Sequence, residues 1–225
     1  MVNLVPEKVE KTLCDLAGAK TVRDALTRMG LINRPLAEVM VEEVQGWRPG
    51  GAETFIYRFR IVTAEQNKDV IVKAVVAFSP ATSLSQLTSE WIRRRRHLES
   101  GGICTPELHF SAGAYLIEDF IPYKLSDFLR STLKERRSIC SQVLQFAEVL
   151  EKEGFRPIGA FDDLRTDGVN VFAVDFGEDL GPPGVAARRD GQLLDDAIDW
   201  LNDNRGPGDP IEMTRARTIF EGAVR

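Results

Sequence analysis

Three short stretches of the chain hold side chains able to do chemistry. The first is Asp167-Gly-Val-Asn-Val-Phe-Ala-Val-Asp-Phe-Gly177, which opens on an Asp-Gly turn and stops at Asp-Phe-Gly. Its β-branched and aromatic middle predicts a short apolar strand leaving the turn. Asp175, an ionisable residue at the end of that strand, suits a cleft better than a core; the alternative is a carboxylate that caps the next turn. The second stretch is Val70-Ile-Val-Lys-Ala-Val-Val76, with Lys73 at its centre. Strand alternation would point this lysine to solvent. The other reading pairs it with Glu90, seventeen residues later in the helix that follows. A strand lysine held by a helix glutamate stays charged and can meet phosphate oxygens. The third stretch is the loop Gly50-Gly51. Glycine lacks a Cβ, so main-chain N–H groups there can approach a phosphate, although hairpins use glycine routinely.

These residues need elements to hold them. Residues 6–30 read as two helices, the second ending near Met29-Gly30. Val39–Val44, Thr54–Val62 and Val70–Val76 read as three strands with short links, an antiparallel meander. A helix across Leu84–Ser100 stops at Gly101-Gly102. Leu108–Gly113 and Ala114–Phe120 form another strand pair, broken by Ile121-Pro-Tyr123. Helices follow at Leu125–Leu133 and Ser138–Glu153, then a strand pair around Asp167-Gly168. After the Gly/Pro-rich Gly181-Pro-Pro-Gly184, helices are expected at Gln192–Asn202 and near Ile211–Ala223. A sheet-rich first half and a helix-rich second half make an α+β chain in two lobes. The expected boundaries are a helical extension at 1–38, a sheet-bearing lobe at 39–122 and a helical lobe at 123–225.

Composition removes several function classes. The 225 residues carry a net charge of −5, which argues against a global basic field for nucleic acid. Three cysteines without CxxC spacing suggest neither a disulfide framework nor a structural zinc site. His97 and His109 are lone histidines without ligand spacing. No apolar run approaches the ~18 residues of a membrane span, and Met1-Val-Asn-Leu-Val-Pro lacks a secretory hydrophobic region. The default setting is a reducing cytoplasm. Arg93–Arg96 reads as a solvated or salt-bridging stretch of helix, with a site for an anionic partner as the alternative. Cys104 reads as a small buried packing residue, and Trp91 and Trp200 as packing aromatics.

Taken in order, these pieces resemble the protein-kinase-like superfamily, especially its small-molecule branch of aminoglycoside-type and lipopolysaccharide-type kinases. The resemblance rests on the Gly50-Gly51 loop, the Lys73 strand and the Glu90 helix. It continues through Gly102-Ile-Cys-Thr-Pro-Glu-Leu108, Tyr115-Leu-Ile-Glu-Asp-Phe-Ile-Pro-Tyr123 and Asp175-Phe-Gly177, so it spans about residues 40–180. It implies a two-lobed protein-kinase-like fold, with an antiparallel-sheet N-lobe and a short helical C-lobe. It further implies ATP bound between the lobes, adenine against backbone groups of Glu118–Phe120, Lys73 on the phosphates and Mg²⁺ on Asp175.

The catalytic loop departs from that pattern. Family members carry an Asp base and, five residues later, a metal-binding Asn before this turn. The family's usual hairpin length puts Arg156 and Phe161 at those positions, and neither can serve. Asp162 and Asp163 are the nearest candidates for orienting an acceptor hydroxyl. They fit only if the hairpin is remodelled so that its strand ends early; otherwise they are a solvated turn. On the same condition Asn170 becomes a candidate ligand, the alternative and favoured reading being that it points out of its strand. The expected function is transfer of the γ-phosphoryl group of ATP to a hydroxyl acceptor. The alternatives are a pseudokinase acting as a regulatory or protein-binding module, and an unrelated α+β interaction domain.

Overall fold

The computed structural model describes residues 7–32, 40–43, 54–62, 67–75, 83–131, 136–155, 159, 161–177, 180 and 192–204. The chain divides into two compact units, Met1–Glu90 with Glu107–Phe120, and Trp91–Pro106 with Ile121–Arg225. The boundary drawn at 122 from the sequence lies beside the cut between Phe120 and Ile121, and a further cut falls inside a helix at residue 90, so that residues 91–106 go with the second unit. The amino-terminal helices belong to the same unit as the sheet.

The first unit is built on a five-stranded antiparallel sheet. Its helices α1 (Glu7–Ala17) and α2 (Val22–Arg28) precede strands β1 (Met40–Glu43), β2 (Thr54–Val62) and β3 (Asn67–Val75). Helix α3 (Leu84–Ser100) begins here, and β4 (Leu108–Ala112) and β5 (Tyr115–Asp119) complete the sheet in the order β1-β2-β3-β5-β4. The period-two alternation of β2 and β3 separates two faces. Phe59, Ile61, Val70, Val72 and Ile117 are buried in one cluster with Leu13, Leu26, Met29 and Leu31. Burial of each such side chain contributes about 1.5–3 kcal/mol, so α1 and α2 are held as a cover on the sheet. The opposite face carries Arg58, Arg60, Asp69, Ile71, Lys73 and Glu118, as the cross-strand register requires.

Local sequence explains the helix ends. Thr21 caps α2 by accepting from the Asp24 N–H. Ser83 and Gln86 exchange side-chain and backbone hydrogen bonds in a capping box at the start of α3. At its other end the Gly102 N–H donates to Glu99 and the Ile103 N–H to Leu98, with Gly102 at φ 84°. That is a Schellman stop, and only glycine adopts its left-handed residue without strain.

The second unit takes the rest of α3, then β6 (Tyr123–Lys124), α4 (Leu125–Ser131) and α5 (Arg136–Lys152). The hairpin β7 (Arg165–Thr166) and β8 (Val171–Phe172) joins β6 in a three-stranded sheet, and α6 (Gln192–Asn204) follows. Leu98, Leu125, Ile139, Val143, Leu150, Leu164, Phe176 and Leu201 are buried in its core. The architecture is mixed α+β, with an antiparallel sheet and several helices.

Four expectations need correction. Strand β3 starts at Asn67 rather than Val70, because Asp69 is held in the ladder by Arg58 and Arg60 of β2. The strand after the Asp-Gly turn is only Val171-Phe172, so Asp175 lies three residues beyond it. Cys104 is exposed rather than buried, because its backbone bridges to Phe172 and its carbonyl accepts from Ala173. Arg93 and Arg96 are exposed, but Arg94 and Arg95 are buried at 8% and 7% exposure. Consecutive residues on a helix point about 100° apart, so a four-residue run cannot stay wholly in water once one side of α3 is covered. The Gly50-Gly51 loop, Gly181–Gly184 and the helix expected near Ile211–Ala223 lie outside the described residues.

Candidate functional site

Among the described residues of the first unit, Lys73 and Glu118 are the buried charged side chains. Lys73 sits at the centre of β3 opposite Leu116, and Glu118 on β5 opposite Ile71. Two positions apart on one face, they form an ion pair with side chains 6% and 3% exposed. Lys73 is thus turned away from solvent. Glu90 lies half-buried on α3. Nearby, Asp69 takes two hydrogen bonds from Arg60 and one from Arg58, and the Arg58 guanidinium lies 3.6 Å from the centre of the Phe120 ring. The Arg60 hydrogen bonds, joined by those of Arg58, outweigh partial burial and hold the Asp69 carboxyl below its ordinary range.

Backbone groups at the end of β5 are engaged within the sheet. The Asp119 N–H donates to the Glu107 carbonyl and the Phe120 N–H to the Asp69 carbonyl, at 3.0 and 3.1 Å. An adenine edge aimed at Glu118–Phe120 would find those two donors occupied.

Asp175 belongs to the second unit. Asp163, Leu164, Ala173, Val174, Asp175, Leu180 and Phe146 line one small depression. Asp163 immediately precedes the hairpin and Asp175 follows it, and the hairpin is short enough to return the chain to its start. This is the early strand end on which the use of Asp163 depended. The Gly177 N–H donates to Asp175 Oδ1 at 2.9 Å, leaving Oδ2 for another partner. Asp175 offers a hard carboxylate oxygen of the kind Mg²⁺ takes, and that ion keeps several of its waters, so one protein carboxylate on the depression suffices. The residues present fit it.

Asp162 is directed elsewhere. The Trp200 indole N–H donates to its Oδ1 at 2.8 Å, and the Trp200 ring lies 6.2 Å from Phe161. Phe161 is buried and packs edge-on against Phe146, as suits a residue with no ligand atom. Asn170 lies in the turn, where its amide donates to Asp167. Asp167 also accepts from the Val169 and Asn170 N–H groups at 2.8 and 2.7 Å. Partial burial pushes the Asp167 carboxyl up, but these hydrogen bonds prevail and hold it below its usual range.

Two side chains that hydrogen-bond the main chain around the hairpin and the Asp175 segment were not legible in the sequence. Gln142 on α5 donates to the Val169 carbonyl and accepts from the Val171 N–H, clamping β8 at 3.0 and 2.8 Å. Nothing in a lone helical glutamine signals that role. The buried Arg94 donates to the carbonyls of Phe176 and Gly177, and its place in an arginine run disguised it.

Glu107, His109 and Asp119 also bring their ligand atoms within 4.8 Å of one another. The two ring nitrogens of His109 face different carboxylates, Asp119 at 2.7 Å and Glu107 at 3.6 Å. Asp119 already holds Lys68 at 3.0 Å. No described helix is long and apolar enough to cross a membrane. No family model matches the chain, and no curated protein compared with it does.

Proposed function

We propose that the chain has a two-lobed protein-kinase-like fold that binds ATP with Mg²⁺ and transfers the γ-phosphoryl group to a hydroxyl acceptor. The observation that carries this reading is the meeting of Asp163 and Asp175 on one depression, with the β7–β8 hairpin between them. In this reading Asp175 holds the metal through Oδ2, and Asp163 orients the acceptor hydroxyl and receives its proton. Lys73, ion-paired with Glu118, meets phosphate oxygens. Bound Mg²⁺ would offset charge on the transferring group. Positioning and electrostatics supply most of the acceleration in such chemistry, so a carboxylate displaced from the family's usual place can still serve.

A pseudokinase is the second reading, and the engagement of Asn170 by Asp167 favours it, because the second metal ligand of the family is then missing from the depression. Thermal melting of wild type, Asp175→Ala and Asp163→Asn with Mg²⁺–ATP, followed by a turnover assay, separates the two. Ligand at ~100 times its dissociation constant stabilises the folded state by about 2.7 kcal/mol. Phosphotransferase activity predicts a metal-dependent shift lost in Asp175→Ala, and turnover lost in Asp163→Asn with the shift retained. A shift without turnover in wild type selects the pseudokinase. No shift in wild type removes the nucleotide from the account.

A further inference from the structure

Arg94 is buried on α3, two turns before the helix ends, and its Nη1 reaches the Phe176 carbonyl at 3.2 Å and also the Gly177 carbonyl. The Phe176 carbonyl and the Gly177 N–H belong to one peptide unit, which is planar and trans. In such a unit the C=O and N–H point in opposite directions. The N–H on the far side donates to Asp175 Oδ1 at 2.9 Å. The guanidinium, the peptide plane and the carboxylate therefore form one continuous hydrogen-bonded chain. Turning the plane about its flanking bonds would break both ends together.

We propose that Arg94 is a positioning residue that sets the direction of the Asp175 carboxylate through the Phe176–Gly177 peptide. Two features make this more than packing. A guanidinium polarises the carbonyl it binds, which strengthens the N–H bond on the other side of the same amide. It also commits both carbonyls to α3, and neither Phe176 nor Gly177 lines the depression that Asp175 does. The Phe176 ring, 2% exposed, pins the middle of the segment, with the Arg95 guanidinium 6.0 Å from its centre. Arginine run and Asp-Phe-Gly segment are thus one device, although they stand eighty-two residues apart.

This inference rests on the reading that Asp175 holds Mg²⁺, and the test separates the two. ATP binding to the full chain is measured by calorimetry with Mg²⁺ and with EDTA, for wild type, Arg94→Met and Arg94→Lys. The readout is the ratio of the two dissociation constants, which a merely structural role leaves unchanged. Arg94→Met is expected to lose about tenfold or more of the Mg²⁺-dependent gain, as the loss of a charge-assisted hydrogen bond allows, with metal-free binding unaltered. Arg94→Lys, which restores a charged donor, is expected to recover part of it. If Arg94→Met does not fold, Arg94→Gln, which keeps an N–H donor, carries the same comparison. A full Mg²⁺-dependent gain in the Arg94 variants overturns the positioning role alone. No Mg²⁺-dependent gain in wild type overturns the metal site and this inference with it.

Discussion

Lys73 on β3 and Glu118 on β5 form a buried ion pair on one face of the sheet, opposite the face covered by α1 and α2. Removing one member takes a buried ionic partner from the other, and breaking such a pair costs about 3–5 kcal/mol. Lys73→Met and Glu118→Leu are each expected to destabilise the protein by that amount in urea unfolding. The double variant is expected to recover most of the loss, because two apolar side chains of similar volume replace a desolvated pair. Additive losses would mean that the two side chains are stabilised independently. Loss of turnover in a Lys73 single variant therefore speaks for phosphate binding only after this stability effect is measured.

The neighbouring carboxylates Asp162 and Asp163 are expected to behave differently. Asp162 holds the Trp200 indole N–H, and Asp163 faces the depression with Asp175. Asp162→Ala is expected to shift the Trp200 fluorescence and to cost about 1 kcal/mol, leaving ATP turnover within a few-fold. Asp163→Asn is expected to leave the fluorescence alone and lower turnover by about 10²–10⁴, the usual range for loss of a proton acceptor. The reverse pattern would move the acceptor carboxylate to Asp162.

Acid is expected to loosen the protein through particular carboxylates. Asp69 is held low first by its Arg60 hydrogen bonds. Asp167 is held low by the turn N–H groups against the opposing effect of burial. A carboxylate depressed in the folded state contributes stability that is present above its unfolded value, about 3.9, and lost as pH falls through the folded one. The melting temperature is therefore expected to be level near neutrality and to fall below about pH 4. Asp69→Asn is expected to lower it at pH 7 and to flatten the acid limb. An unchanged acid limb in that variant would place the titrating groups elsewhere.

Much of the scaffold is legible in the residues themselves. β-Branched alternation marks β2 over Thr54–Val62 to the residue, and Ser83-x-x-Gln86 with Gly102 brackets α3 at both ends. These are local signals, carried by one periodicity or one cap, and they need no knowledge of what packs against them. The same locality limits them. Lys73 within a strand can face water or the interior, and alternation alone favours water; only the register of β3 against β5 brings Glu118 near enough to bury it. Arg94 and Arg95 cannot be told from Arg93 and Arg96 in a run of four identical residues. What distinguishes them is which side of α3 meets the Asp175 segment, some eighty residues further on. Hairpin length decided where Asp162, Asp163 and Asn170 lie in the same way. A turn of Asp167–Asn170 closed on the Asp167 carboxylate stops the strands after two residues, which a propensity reading extends through the apolar run. The sequence by itself determined the elements and the residue types able to do chemistry. The pairing of those residues was decided by the tertiary structure, because an ion pair or a shared depression depends on contacts between segments distant in the chain.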